Sequence, residues 1–276
     1  MTEPVTFAPG DRTPQRVRHE LRFRRLSVRS AERITPSLVR VTLQGAELAG
    51  FASAGFDDHV KLFFPDPSTG RLVVPNGPPG SPGWSSGPRP IARDYTPRRY
   101  DAAAGTLEID FAIHEAGPAT AWALQAAPGQ EIGLGGPRGS FVVPTGFDAH
   151  LLVADDTGLP AVARRLAELP AGTRAIVIVE VDSEADQIPL PSAATVDLGW
   201  VYRLGAPAGE PQRLLAAVQA LQWPQGDVYS WVAAEATAAR ALRAHLVGER
   251  GANPRWVKAA GYWRRGEAGA HEKIED

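Results

Sequence analysis

The hydrophobic period of this chain changes near its middle, and that change limits the possible fold more than any single motif does. In the first half the apolar residues alternate: residues 38–43 (LVRVTL), 59–64 (HVKLFF) and 106–113 (TLEIDFAI) read as half-buried strands separated by Gly- and Pro-rich turns. Alternation of this kind is the pattern of an antiparallel β-barrel. From about residue 147 the apolar runs 150–154, 175–181, 199–204 and 228–234 are interleaved with helical patterns at 158–169, 211–222 and 235–248, which implies a parallel sheet covered by helices. The expected architecture is therefore an antiparallel β-barrel domain over residues 1–145 followed by an α/β parallel-sheet domain over 146–276, joined near VVPTGFDAH at 142–150. Residues 75–90 (PNGPPGSPGWSSGPRP) read as a poorly ordered low-complexity loop within the first domain rather than a linker. No internal repeat is visible.

Composition removes several function classes. The 29 Lys and Arg nearly cancel the 31 Asp and Glu, so no overall field recruits nucleic acid or an anionic membrane. The chain has no cysteine, which excludes disulfides, thiolate nucleophiles and cysteine-ligated zinc or iron–sulfur clusters. Redox chemistry would therefore need a bound organic cofactor. The 6 histidines form no H-x-x-x-H pair and no His/carboxylate cluster at ligand spacing, so no metal site is expected, and His59 reads as a structural histidine. Residues 1–26 contain no apolar signal region and no run of about 18 apolar residues occurs, so the expectation is a cytoplasmic protein with no membrane partner; a monomer is expected separately. The spaced arginines of residues 12–29 read as the solvent face of a strand, without the interleaved aromatics of a nucleic-acid binder.

The chemistry is concentrated in RPIARDYTPRRY, residues 89–100. On an extended strand Arg93 and Tyr95 share one face and Thr96 takes the other, until Pro97 bends the chain. Arginine forks suit phosphate oxygens, a phenol ring suits a planar heteroaromatic, and a hydroxyl suits a ring nitrogen or carbonyl, a combination that fits a flavin nucleotide. The alternative is an edge strand whose arginines pair with Asp94 and Asp101. Downstream, HEAGPATAWALQ (114–125) sets Gly117 and Pro118 before a short helical run, leaving first-turn amides at the positive end of the helix dipole. GQEIGLGGPRGSFVVP (129–144) then supplies a tight turn with Arg138 where the barrel ends.

These phrases, together with DDHVKLFFP (57–65), LLVADDTGLPAV (151–162) and GYWRRG (261–266), stand in an order that resembles the siderophore-interacting proteins. These are FAD-dependent ferric-siderophore reductases of the ferredoxin–NADP reductase superfamily. The resemblance implies that Arg93 contacts the FAD phosphates, that Tyr95 stacks on the isoalloxazine or reaches the ribityl chain, and that Thr96 approaches the flavin ring. It also implies cofactor contacts from Arg98, Asp110, His114, Gly117, Ala119, Thr120 and Trp122. In the second domain, Thr157 and Gly158 end a strand and Pro160 opens a helix whose N-terminus would face a ligand. An ordinary capped helix with Thr157 near its N-cap is the alternative, and the resemblance favours a nicotinamide dinucleotide held by Asp156, Thr157 and Pro160. Glu180 and Asp182, at the end of the second strand, suit a ribose diol and lean the choice of NADH or NADPH toward NADH. Tyr262 and Trp263 are implied to pack beside the flavin or adenine, with a plain core anchor as the alternative for Trp263. Lys61, Arg138, Lys258 and Arg264 are implied around a basic mouth for an anionic ferric siderophore. The implied activity passes electrons from NAD(P)H through FAD to the chelated iron, with no side chain needed as acid or base in the iron step. The rivals are a general or ferredoxin-linked flavin oxidoreductase and a siderophore-binding protein without turnover.

Overall fold

The computed structural model describes residues 5–8, 10–75, 90–113, 117–267, 269 and 272–274, so the expected loop at 75–90 lies almost wholly outside the described residues, as does His114. The chain divides into two compact units, with the main boundary between Val143 and Pro144; the second unit also takes Phe7–Thr13 and Thr35–Ser37 from the N-terminal half.

The first unit contains strands β1 (Gln15–Arg18), β2 (Phe23–Thr35), β3 (Leu38–Gln44), β4 (Val60–Phe64), β5 (Ile91–Tyr95), β6 (Arg99–Asp101), β7 (Thr106–Ala112), β8 (Glu131–Gly135) and β9 (Gly139–Val142), with helix α1 (Pro118–Leu124) between β7 and β8. Seven of the strands form one sheet in the order β5-β4-β8-β2-β3-β7-β6, with antiparallel pairing between its strands, while β1 pairs separately with β9. The outermost strands of the sheet, β5 and β6, are separated in sequence by residues 96–98 alone. Four Cα steps span at most about 14 Å, so the two edges must approach each other and the sheet must curl on itself. The curl is a barrel with a seam, and the seam is bridged by Thr96, Pro97 and Arg98.

The period of two explains the core. Val39, Val41 and Leu43 of β3, Val60, Leu62 and Phe64 of β4, and Leu107, Ile109 and Phe111 of β7 all point inward into one cluster. Ala119 and Ala123, one turn apart on α1, join the same cluster, so the helix lies against the barrel interior through its two small residues.

The second unit contains β10 (Ala149–Asp155), α2 (Leu159–Glu168), β11 (Arg174–Val181), β12 (Thr195–Tyr202), α3 (Pro211–Gln219), β13 (Val228–Glu235), α4 (Ala236–Ala244), β14 (Val257–Trp263) and β15 (Glu272–Ile274). The sheet order is β12-β11-β10-β13-β14-β15, parallel apart from the antiparallel β14–β15 pair. Every residue of β10 and β13 is buried, as continuous apolar strands covered on both faces must be. The order reverses between β10 and β13, which places a topological switch point at the carboxyl ends of those two strands. The connection between β11 and β12, residues 182–194, carries one 3-10 turn, Glu184–Asp186, whose Asp186 accepts from the Ser37 amide at 2.9 Å and the Ser37 hydroxyl at 2.6 Å.

Candidate functional site

In the first unit the arginine-rich phrase forms β5, the seam and β6. Arg93 is half-buried, and its one hydrogen bond to a described residue runs from Nη1 to the carbonyl of its neighbour Ala92 at 2.8 Å. The carboxylates that the edge-strand alternative would give it are occupied elsewhere. Asp94 takes Lys61 Nζ at 2.7 Å across the β4–β5 register, and Asp101 lies 3.9 Å from Arg99 while capping the amides of Ala103 and Ala104. Arg93 is therefore a partly desolvated cation with no carboxylate partner among the described residues.

Tyr95 packs on Phe111 with ring centroids 4.4 Å apart, and Phe64 and Trp122 complete the aromatic wall. Burial pushes the Tyr95 phenol well above its ordinary pKa, so at neutral pH its hydroxyl keeps its proton as a donor. Thr96 is buried and Arg98 half-buried, with the Arg98 amide bonded to the Glu108 carbonyl at 2.9 Å. Asp110 departs from the expectation of a cofactor ligand. Its side chain is fully buried, and both oxygens are taken by Arg40, opposite it in the β3–β7 register, at 2.7 and 2.8 Å. That bond is the main reason the Arg40 guanidinium is held above its usual pKa. Asp110 is part of the barrel wall. Gly117 takes the N-cap position of α1 in an extended conformation with no side-chain cap; Ala119 is buried in the core, and Thr120 and Trp122 are half-exposed.

Arg138 is exposed on the β8–β9 turn, and no described residue pairs with its side chain. Its main chain is fixed from both sides. The Arg138 carbonyl accepts the His19 amide at 2.9 Å, and the buried Arg24 donates to the Gly136 carbonyl at 3.3 Å and the Glu47 carbonyl at 2.9 Å. Ser140, just beyond, is held by His19 Nε2 at 2.6 Å and donates to Asp58 at 2.5 Å.

In the second unit the functional phrases meet at the switch point. One oxygen of the buried Asp155 accepts the Thr157 amide at 2.9 Å and the Thr157 hydroxyl; the other accepts the Glu235 amide at 3.0 Å and the Trp263 indole N–H at 2.8 Å. Thr157 is thus not the helix cap: its hydroxyl turns back to Asp155, and Gly158 occupies the N-cap position of α2. A Cβ on Gly158 would stand 2.9 Å from the Ala233 carbonyl, so only glycine lets this turn lie so close to β13. Pro160 is buried in the first turn of α2. Asp156 pairs with Arg203 at 2.8 Å, both side chains being buried.

Glu180 is not the open carboxylate that a ribose diol needs. It is buried, with Arg213 at 3.2 Å and Arg203 at 3.7 Å. Burial pushes its pKa up while the two arginines oppose the shift. Asp182 accepts the Gly205 amide at 2.9 Å. Trp263 is anchored by Asp155 at the carboxyl ends of β10 and β13, and its ring closes on Gly209, where a Cβ would lie 3.1 Å from the indole. Tyr262 packs edge-on against the buried Trp231 at 6.1 Å. Lys258 is half-buried on β14, and Arg264 pairs with Glu267 at 3.2 Å. Asp155, Arg203, Arg213 and Glu235 escaped the sequence reasoning. The signal for Arg203 was a basic residue directly after an apolar strand, where the carboxyl end of a parallel sheet begins.

Among the described residues no group of three His, Asp or Glu side chains is placed to hold a metal, and no helix is long and apolar enough to cross a membrane.

Two family models match the chain: the siderophore-interacting FAD-binding domain over residues 27–141, and siderophore-interacting protein over residues 147–266. Among curated relatives, the NADPH-dependent ferric-chelate reductase of Escherichia coli is 40% identical over 255 residues, 91% of this chain and 97% of the relative. The ferric vibriobactin reductase ViuB of Vibrio cholerae is 32% identical over 246 residues, 87% of this chain and 89% of that one. Among solved structures, a siderophore utilization protein from T. fusca superposes with a TM-score of 0.86 at 40% identity, covering 94% of this chain and 98% of the other.

Proposed function

Because the chain belongs to the siderophore-interacting protein family, we propose that it is a ferric-siderophore reductase that uses FAD to pass electrons from NADPH to chelated Fe(III), releasing Fe(II). The observation that carries the reading is Arg93. A half-buried guanidinium without an acid partner among the described residues is costly unless an anion meets it, and a flavin pyrophosphate supplies that anion. Tyr95, Trp122 and Thr96 stand in the same short stretches and give the ring system an aromatic wall and a hydroxyl; Arg98, Gly117, Ala119 and Thr120 belong to the same cofactor assignment, and so does His114. Bound flavin converts a two-electron hydride donor into a one-electron reductant, chemistry that no side chain of a cysteine-free protein provides.

In the second unit the nicotinamide nucleotide is assigned to the turn after β10, with Thr157 and Pro160 at the helix start. Asp156, bound to Arg203, shapes that turn rather than touching the ligand. Trp263 and Tyr262 are assigned to the same end of the sheet. This reading places the reaction in the cytoplasm. NADPH is favoured over NADH because the acid expected to repel a 2′-phosphate, Glu180, is neutralised by two arginines.

The test is an anaerobic cycle. NADPH should bleach the visible flavin absorbance of the purified protein, and a ferric catecholate chelate should restore it as a ferrous-specific chelator captures the product. Bleaching by neither nicotinamide nucleotide would refute the NADPH reading and leave reduced ferredoxin as the donor to try; a chelate that binds without reoxidising the flavin would favour a binding protein.

The acceptor cations divide by their pairing. Lys61 is tied to Asp94 and Arg264 to Glu267, whereas Arg138 stands exposed, with no partner among the described residues, on a turn braced by Arg24 and His19. Arg138→Ala should raise KM for an anionic ferric siderophore several-fold and flatten its salt dependence, with flavin reduction by NADPH near wild type. Lys61→Ala should have the smaller effect. An unchanged KM in Arg138→Ala would remove this residue from the acceptor site.

A further inference from the structure

We propose that Arg213 is the residue through which this chain prefers a nicotinamide nucleotide phosphorylated at the 2′ position of its adenosine ribose. The inference rests on the reading that a dinucleotide lies across the carboxyl ends of β10 and β11. In a sheet of this kind the ribose meets the side chains at the end of the second strand: a carboxylate there takes the diol and repels a phosphate, and an arginine accepts the phosphate.

Glu180 stands at that point, and alone it would select the unphosphorylated nucleotide. Its surroundings reverse the outcome. The carboxylate is 1% exposed and faces Arg203 and Arg213, so it presents no open charge to a ligand. Arg203 is itself only 7% exposed and already holds Asp156. Arg213 differs from both. Its side chain is 25% exposed, Nε rests on Glu180 at 3.2 Å, Nη2 donates to the Pro207 carbonyl at 2.6 Å, and Nη1 bonds to no described residue. The guanidinium is thus oriented through two nitrogens and keeps the third for a ligand. Its backbone is equally fixed, in the first turn of α3 behind Pro211.

The loop that supplies Arg203 and the Pro207 carbonyl carries a second sign of a ligand. Leu204 is held at φ 53, and the residue is 78% exposed. A leucine forced into the left-handed region, and left bare, is a strained apolar surface of the kind found at binding sites. It offers the adenine ring a face to lie on.

Calorimetric titration of the flavin-loaded protein with adenosine 2′,5′-bisphosphate and with adenosine 5′-monophosphate tests this. The bisphosphate should bind about ten- to a hundredfold more tightly, the effect of one charge-assisted contact. Arg213→Gln should erase the difference, and Arg213→Lys should restore part of it. Should the loss of Arg213 leave buried Glu180 uncompensated and unfold the second unit, the Glu180→Gln, Arg213→Gln double variant removes both charges and should show the same loss of preference. Equal affinities in the wild type, no binding of either ligand, or a preference that survives in a folded variant would overturn the proposal. Flavin reduction by NADPH is measured in parallel: its absence alongside an intact, Arg213-dependent preference would defeat the reductase reading and leave this one standing.

Discussion

Arg93→Ala will lose its flavin. Among the described residues the wild-type guanidinium makes one hydrogen bond, to the carbonyl of the adjacent residue, and the acids Asp94 and Asp101 that follow it in sequence are committed to Lys61 and Arg99. Removing it therefore breaks no ion pair among the described residues, so the barrel should fold and melt close to wild type. What is removed is the counter-charge for the phosphates. A charge-assisted hydrogen bond contributes roughly 1.5–3 kcal/mol, so flavin affinity should fall by about ten- to a hundredfold or more. The measurement is the flavin-to-protein absorbance ratio after gel filtration, followed by titration of the apoprotein with FAD. A variant that retains flavin with wild-type affinity would detach Arg93 from the cofactor, and a colourless wild type with no affinity for FAD would end the flavoprotein reading.

The second large effect concerns acid stability. His150 on β10 is completely buried between Phe147 at 5.7 Å and Tyr229 at 6.1 Å. Burial, with the nearby positive charge of Arg165, lowers its pKa to about 3, against a small opposing contribution from the Thr145 backbone. An unfolded histidine takes up its proton near pH 6.5, while the folded one resists until about pH 3. Across that window the unfolded state binds more protons, so stability is complete above pH 6.5 and falls as the pH drops, by about 1.4 kcal/mol per unit. Between pH 7 and pH 5 the loss from this one residue is about 2 kcal/mol. Denaturant unfolding of the wild type and of His150→Leu at several pH values isolates it, because the carboxylates titrate alike in both. The variant should show the shallower pH dependence; identical slopes would mean that His150 is not held neutral.

The fold class and most of the strands and helices were legible because they depend on local periods: alternation along β3, β4 and β7, and apolar strands interleaved with helical patterns beyond Pro144. The motif residues were legible by type. What could not be read was which charges would find one another. Asp110 looks like a ligand until the β3–β7 register sets Arg40 opposite it, 70 positions away in sequence. Glu180 looks like a diol acceptor until the loop after β12 and the first turn of α3 bring two arginines to it. Trp263 meets Asp155 across 108 positions, a contact created by the parallel order of the second sheet and by nothing in the tail itself. Thr157 is not the helix cap of the alternative reading, and the reason is local: the carboxylate two residues earlier accepts its hydroxyl, and Gly158 takes the N-cap position.

The seam of the first barrel puts an unusual restriction on how this protein can change. Residues 96–98 are both the tether between the sheet's two edges and the middle of the arginine-rich phrase. A surface loop ordinarily tolerates extra residues, because each doubling of its length costs only about 0.6 kcal/mol. Here an added residue would do two things at once: let the edges β5 and β6 drift apart, and turn Arg98 and everything after it to the opposite face relative to Arg93 and Tyr95. The side chains of this stretch can be exchanged one at a time, but its length is frozen.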